Sequence, residues 1–511
     1  MRELILIKKT KGRHILSKKF MIDTSVIIDN PEGNLIKLSE YGKNKLYITE
    51  IVLEELDKHK TSLRFEVAIS ARAFFRALKK SKFKKIKDKK DDVFFKVNLV
   101  FDNEESVELN IITRKKYSKD TLSQPKENIN DAKIREVAAS YNMKCITNDI
   151  SFKARALANG LKAESIHWDS VENPDNIKFD KDFYFLSMDK EVETEDEYNK
   201  RFTAFKYEIA SKVRKWTQIK IIFKNQDDNL TGVEKFYLSN GNNLIDISSN
   251  DYNRFEIKPI NLEQKFYVHM LESNFNVMTV SGKTGTGKTL LALQEGMRRV
   301  KDPESPINGI IYMRFTVNAE DKFSALGYRK GGENEKLDFY NYPLYGAINF
   351  IIGKRIEFKE NKKEKVKRNI EKQINVKKRE KTKEEKLEDE KAMSIKKNEM
   401  TDDFIKEYNI EILDIAHARG ITMDNKYVIF DEIQNAPNNI VRLIGTRLGK
   451  NSIGIFMGDY KQVDHPYLSQ ERNGLVSMLN TVLKDDFVAA IKLVKTVRSE
   501  TAKWFEERIL G

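Results

Sequence analysis

Residues 282–289 read Gly282-Lys283-Thr284-Gly285-Thr286-Gly287-Lys288-Thr289. A glycine, four residues and then Gly-Lys-Thr is a pattern made for phosphate. Its glycines let the backbone curl until successive N–H groups point inward. Lys288 brings a positive charge to the β and γ phosphates, and the Thr289 hydroxyl reaches Mg²⁺. The apolar run 276–280 before the loop and the helical run 290–294 after it supply the strand and helix this loop requires. The start of that helix adds its positive end. A second element must hold the metal and activate water. Tyr427-Val428-Ile429-Phe430-Asp431-Glu432 reads as a buried strand ending in two acids, which places both carboxylates on a sheet rim beside the loop. Asp431 is expected in the Mg²⁺ shell. Glu432 is expected to orient or deprotonate water, as a hydrolase requires and a kinase does not. Alone, the pair would read equally as solvated acids; the loop upstream favours the chemistry. A further strand over 452–457 leads into Gly458-Asp459-Tyr460-Lys461-Gln462. Asp459 and Gln462 are placed to sense the γ-phosphate, the plain alternative being a Gly-Asp turn. Arg498 is either a nucleotide contact, in cis or in trans, or a surface arginine.

Four other acids form a second set. Asp23 follows the strand-like run 20–22. Glu55 lies in Val52-Leu53-Glu54-Glu55-Leu56-Asp57, just past the strand 45–48. Asp131 heads the helical run 131–141, and Asp149 ends Ile146-Thr147-Asn148-Asp149. Each sits at a strand end or a helix start, positions that converge on one rim of a parallel sheet. Carboxylates held together repel, and a divalent cation relieves the repulsion. One or two Mg²⁺ or Mn²⁺ ions there would activate water and stabilise a phosphodiester leaving group. Any one of these acids by itself reads more simply as an N-cap or a solvated residue.

The elements that position these residues alternate strand-like and helical runs, which argues for an α/β fold. The 511 residues suggest about three domains. The boundaries expected are 19–168, 169–256 (a connector with a small β element) and 257–511, a second α/β domain. A polar block over 354–399 interrupts the last. It carries 18 basic and 11 acidic residues, half of the chain's net charge of +14, and reads as a solvated helical insertion or a nucleic-acid contact. Cys145 is the only cysteine, which excludes an intramolecular disulfide framework and a cysteine zinc cluster. Six scattered histidines do not suggest a metal site. No apolar run approaches the about 20 residues of a spanning helix, and the opening Met1-Arg2-Glu3-Leu4-Ile5-Leu6-Ile7 is too short for a signal segment, so no membrane partner and a cytoplasmic location are expected.

The acid motifs Asp23-Thr24-Ser25, Val52 to Asp57, Asn130-Asp131-Ala132-Lys133-Ile134 and Thr147-Asn148-Asp149, with the helix residues Ala71 to Leu78, together resemble a PIN domain of the kind found ahead of a PhoH ATPase domain. The region after 257 resembles that PhoH domain. It does so through Ile257-Lys258-Pro259-Ile260-Asn261-Leu262-Glu263-Gln264, the phosphate loop, Asp431-Glu432-Ile433-Gln434-Asn435, Thr446-Arg447-Leu448-Gly449, residues 458–464 and Asn473-Gly474-Leu475, in the family's order. The resemblance implies a three-layer α/β/α PIN-like domain, a small connector and a RecA-like P-loop NTPase domain with the charged insertion. It further implies Gln264 near adenine, ATP-dependent unwinding and metal-dependent cleavage of RNA, a single-stranded RNA partner, and a homo-oligomer, commonly a hexameric ring. Two stretches depart from the family pattern: Arg419-Gly420-Ile421 lacks the second arginine, and Arg314-Phe315 stands where Arg-Pro is usual.

The leading expectation is therefore an enzyme with two active sites, an ATPase and an endoribonuclease. The alternative is an ATP-switched RNA-binding protein whose PIN domain does not cut. A small-molecule phosphotransferase has no visible acceptor pocket in the sequence, and Glu432 argues against it.

Overall fold

The structure, a computed structural model, describes residues 17–497, 501, 504 and 508, except 41, 63, 90–91, 103, 167–169, 180, 188–193, 225–229, 249–251, 316–341, 372–398, 416, 466–467, 483–484 and 486. The chain divides into two units, Met1–Trp168 and Asp169–Gly511.

In the first unit, β1 (Lys19–Ile22) is buried through Phe20, Met21 and Ile22, as a central strand with both faces covered must be. It pairs in parallel with β2 (Lys45–Thr49) and with β6 (Lys144–Ile146). Beyond β6 lies the short β7 (Ala163–Glu164). Beyond β2 come β5 (Ser106–Arg114), parallel to it, and then β4 (Asp92–Val100) and β3 (Lys84–Lys89), both antiparallel. The order across the sheet is β3-β4-β5-β2-β1-β6-β7. Helices α1 (Thr24–Asp29) and α2 (Pro31–Ser39) follow β1, and α3 (Glu50–His59) and α4 (Phe65–Lys79) follow β2. Helices α5 (Lys119–Leu122) and α6 (Ile129–Ser140) precede β6, and α7 (Ile150–Ala158) follows it. The parallel β1, β2 and β6 therefore all hand over to their next element at one rim.

Residues 83–128 look irregular in sequence because β3 is lysine-rich and lacks a clear apolar period. At a sheet edge those lysines discourage pairing with another chain. The ribbon is held by Arg114, whose guanidinium donates to both oxygens of the buried Asp92 at 2.8 and 2.6 Å.

The second unit opens with a four-stranded sheet in the order β11-β10-β9-β8, made of β8 (Lys181–Ser187), β9 (Gln218–Lys224), β10 (Leu230–Ser239) and β11 (Leu244–Asp246). Helix α8 (Glu195–Lys212) joins β8 to its parallel neighbour β9. The sequence reading missed this helix. Its signals are present: Thr194 and Glu197 form a capping box, and Tyr198, Phe202, Phe205 and Ile209 recur at helical spacing.

The larger sheet is all parallel, with β12 (Val277–Gly282) and β17 (Val488–Leu493) on one side of β16 (Ile453–Gly458), and β15 (Lys426–Asp431), β13 (Gly309–Arg314) and β14 (Ile410–Ile412) on the other. Helix α9 (Leu262–Glu272) precedes β12, α10 (Lys288–Lys301) follows it, and α12 (Asn438–Gly445) and α13 (Gly474–Val482) flank β16 in sequence. Between β13 and β14 runs α11 (Tyr342–Glu371). Its first turns bury Leu344, Ala347, Ile348, Ile351 and Ile352, an i, i+3, i+4, i+7, i+8 stripe, and each large member contributes about 1.5–3 kcal/mol. After Lys354 the stripe fades and the charged block begins; its residues 372–398 lie outside the described residues. Among the described residues no helix is long and apolar enough to cross a membrane.

Candidate functional site

The rim formed by the C-terminal ends of β12, β15 and β16 gathers the phosphate-loop residues. Strand β12 ends at Gly282, and α10 begins at Lys288. Gly285 and Gly287 hold φ of +83° and +88°, left-handed conformations that other side chains resist. Gly282 has a different reason: a Cβ there would lie 2.5 Å from the Leu493 carbonyl oxygen. Lys288 folds over the loop, its Nζ donating to the carbonyl oxygens of Gly282 at 2.5 Å and Lys283 at 3.0 Å. The Thr289 hydroxyl donates to Oδ2 of the buried Asp431 at 3.0 Å, and the Tyr312 hydroxyl donates to the same oxygen at 3.1 Å. Burial and the Asp431 charge push the Tyr312 hydroxyl well above its ordinary range, so it stays a donor.

Glu432 follows Asp431 with φ of +59°, a left-handed conformation in a residue that is not glycine. Such strain persists only where the surroundings fix it, and it concentrates at working sites. The surroundings here are specific. Gln434 Nε2 donates to Glu432 Oε2 at 2.5 Å and to the Gln462 carbonyl at 3.0 Å. Its Oε1 accepts from the Asp459 N–H at 3.1 Å. Gln462 in turn takes a hydrogen bond from Thr284 of the loop at 3.0 Å. An Arg314 nitrogen stands 3.6 Å from Glu432 Oε1. Burial first, then Asp431, raises the Glu432 carboxyl; Gln434, Arg314 and Lys288 oppose that rise. A carboxylate moved toward neutrality is better matched to taking a proton from water.

The acid set of the first unit is assembled differently. Asp23 stands just before α1 without capping it, and its Oδ2 accepts from the hydroxyls of Ser25 at 2.6 Å and Thr147 at 2.7 Å. Glu55, on α3, accepts from the Thr24 hydroxyl at 2.6 Å and from Asn130 Nδ2 at 2.8 Å. Asp149 caps α7, accepting from the N–H groups of Ser151 at 2.7 Å and Phe152 at 3.0 Å. Asp131 lies in the first turn of α6. Its carboxyl is pushed up to about 6, chiefly by desolvation and then by the charges of Asp23 and Asp149, with Glu55 adding less. Asp23 is also raised, by burial and, more weakly, by Glu55, against its two hydroxyl donors. The four acids thus share one electrostatic neighbourhood. Their hard oxygen donors and accumulated charge suit Mg²⁺ or Mn²⁺. The side chains as placed stop short of a closed ligand set: among the described residues no three of His, Cys, Asp or Glu are spaced to hold a metal ion.

Family comparison decides what these rims belong to. The pattern of the PIN domain matches residues 20–167, and the pattern described as PhoH-like protein matches residues 256–509. The chain belongs to the PhoH family, with a PIN domain ahead of its PhoH domain. It is 23% identical to Protein PhoH2 of Bacillus subtilis over 96% of this chain and 99% of that one. Protein PhoH2 of Mycolicibacterium smegmatis is 20% identical over 74% of each chain. A PhoH-like protein of Bacillus subtilis is 28% identical over 46% of this chain and 57% of its own length.

Within the PhoH domain, Lys288, Thr289, Asp431 and Glu432 lie on one rim, and Gln462 reaches the loop through Thr284. Asp459 is buried, and its carboxylate accepts from the Lys461 N–H at 3.0 Å, so it builds the turn at the end of β16. Gln264 spends its amide on the loop itself: Nε2 donates to the Thr286 carbonyl at 3.0 Å and Oε1 accepts from the Ile260 N–H at 2.8 Å. Arg498 lies outside the described residues, although the Val497 N–H just before it donates to the Gly285 carbonyl at 2.8 Å. Sequence reading gave no role to Tyr312, Gln434, Asn130 or Thr147. Gln434 had a visible signal, its place two residues beyond the Asp-Glu pair; Tyr312 inside an apolar strand had none.

Proposed function

We propose that this PhoH-family protein couples ATP hydrolysis to the movement or opening of RNA, and that its PIN domain cleaves that RNA internally. The observation that carries the ATPase half is the Thr289–Asp431 contact with Glu432 held beside it by Gln434. In this reading Lys288 and the loop N–H groups bind the phosphates of the substrate ATP, with Gln264 near adenine and bracing the loop. Glu432 orients the attacking water and takes its proton. Gln462, and Asp459 through its turn, register whether a γ-phosphate is bound, and Arg498 completes the nucleotide contact. Thr289 and Asp431 would hold Mg²⁺, which would supply positive charge against the phosphates.

The cleavage half is supported by four acids whose charges bear on one another at one rim. Mg²⁺ or Mn²⁺ bound by Asp23, Glu55, Asp131 and Asp149 would supply the charge that activates water and steadies the leaving oxygen. The chain's own part is to hold those carboxylates: Thr24 and Asn130 orient Glu55, while Ser25 and Thr147 orient Asp23. The partner is single-stranded RNA, and the working form is a homo-oligomer, a hexameric ring in the family resemblance. The other reading, an ATP-switched RNA binder with a silent PIN domain, is favoured by the open ligand set. One assay separates the two. The purified chain with ATP, Mn²⁺ and end-labelled single-stranded RNA gives shortened products under the first reading and only a retarded, full-length band under the second.

A further inference from the structure

The sheet β11-β10-β9-β8 has two faces with different fates. One is closed by α8: Tyr184 and Leu186 of β8, with Ile219, Ile221 and Phe223 of β9, pack against Phe202, Phe205 and Ile209. Strand alternation turns Phe183 and Phe185 to the opposite face. Register sets Phe183 beside Lys220 and Phe185 beside Ile222, and β10 places Phe236 and Glu234 next in those two rows. At one end of this face Phe236 and Leu238 join the apolar core of the parallel sheet. At the other end the Phe183 and Phe185 rings stand 63% and 52% exposed. Neither ring is needed to anchor β8, since Tyr184 and Leu186 do that.

Cations border both rings. Lys224 Nζ stands 4.9 Å from the centroid of Phe185, a weak exposed contact that a base can displace. Lys220 lies across from Phe183 and pairs with Glu234 at 2.5 Å. The exposed Lys181 begins β8 on the same face. Three lysines against one glutamate give this face a positive excess. An apolar protein surface would leave the excess facing no counter-charge, whereas a nucleic acid brings one phosphate per nucleotide. Rings two residues apart on a strand are separated by about 6.5–7 Å. That is about twice the spacing of stacked bases, so the bases must splay apart, which a single strand permits.

We propose that the open face of this sheet is a stacking platform for single-stranded nucleic acid, with bases on Phe183 and Phe185 and phosphates met by Lys181, Lys220 and Lys224. The platform rests on the reading of RNA as the polymer this protein handles, and it lies outside the residues assigned to hydrolysis and to cleavage. It grips sequence-independently, because every base has a face to stack.

The test is fluorescence anisotropy of labelled oligouridine with the full chain, without ATP or metal. Three paired variants are compared with the wild type: Phe183→Ala with Phe185→Ala, Phe183→Leu with Phe185→Leu, and Phe183→Trp with Phe185→Trp. Thermal melting by circular dichroism confirms that each is folded. The alanine and leucine pairs are expected to bind about tenfold or more weakly, and the tryptophan pair at least as tightly as wild type. Undiminished binding by the alanine pair overturns the platform and leaves the RNA reading standing. Wild-type affinity in the leucine pair overturns stacking. A wild-type chain that binds no oligouridine overturns both the platform and the RNA reading.

Discussion

The two candidate rims are built on the same topological logic and differ in how their side chains are tied. On the PhoH rim the candidate groups touch one another: Thr289 and Tyr312 meet on Asp431, and Thr284, Gln462, Gln434 and Glu432 form a continuous chain of contacts from the loop to the Glu432 carboxylate. On the PIN rim Asp23, Glu55 and Asp149 are each tied to a neighbour's hydroxyl, amide or N–H, and the charges of all three bear on Asp131. The first rim is braced by hydrogen bonds of its own side chains and by Arg314 beside Glu432. The second collects like charge, which a cation must offset before the carboxylates can draw together.

The largest effects should come from breaking either rim at its centre. Glu432→Gln should lower ATP turnover by about 10²–10⁴-fold while leaving nucleotide binding intact, measured by phosphate release and by filter binding. Lys288→Ala should lose binding as well. Removing divalent metal should stop cleavage and ATP turnover together, whereas Asp23→Asn should stop cleavage alone.

A smaller effect sharpens the contrast. Gln434→Ala removes a hydrogen bond to a charged group, worth about 1.5–3 kcal/mol, so kcat for ATP should fall about tenfold or more with little change in KM. Gln434 lowers the Glu432 carboxyl, so its loss should move the acidic limb of the kcat profile to higher pH. A uniform fall in kcat at every pH would mean that Gln434 acts only as packing.

Much of this was legible in the sequence, and the reasons are local. The phosphate loop announces itself because its glycines, lysine and threonine are consecutive, and β1, β2 and β15 because buried strands are continuously apolar. Helix α8 was hidden by its charged surface, although its capping box is plain. The roles of Gln434 and Thr147 were hidden because each depends on a partner brought close only by the fold, Asp459 in one case and Asp23 in the other. Gln264, implied near adenine by the family resemblance, also braces the loop backbone with its amide, a use that residue type and position do not reveal.

The smallest effect is on stability. The Asp131 carboxyl is raised from 3.8 to about 6 in the folded protein, so the native state binds more protons than the unfolded chain between those values. The Asp131 contribution to the stability of the metal-free protein should therefore fall as pH rises from about 4 to about 6 and stay low above that, seen as the difference between wild type and Asp131→Asn. Asp131→Asn should remove this dependence and stabilise the metal-free protein at pH 7 by about 1–2 kcal/mol, allowing for the group's partial exposure. Urea melts at several pH values read this directly.

The account's central claim is one chain with two separable chemistries. The most direct measurement follows ATP hydrolysis and RNA length in the same reaction with Mn²⁺, using the wild type and Asp131→Asn. Asp131→Asn should hydrolyse ATP at the wild-type rate and leave the RNA at full length. RNA shortened by Asp131→Asn as fast as by the wild type would contradict it.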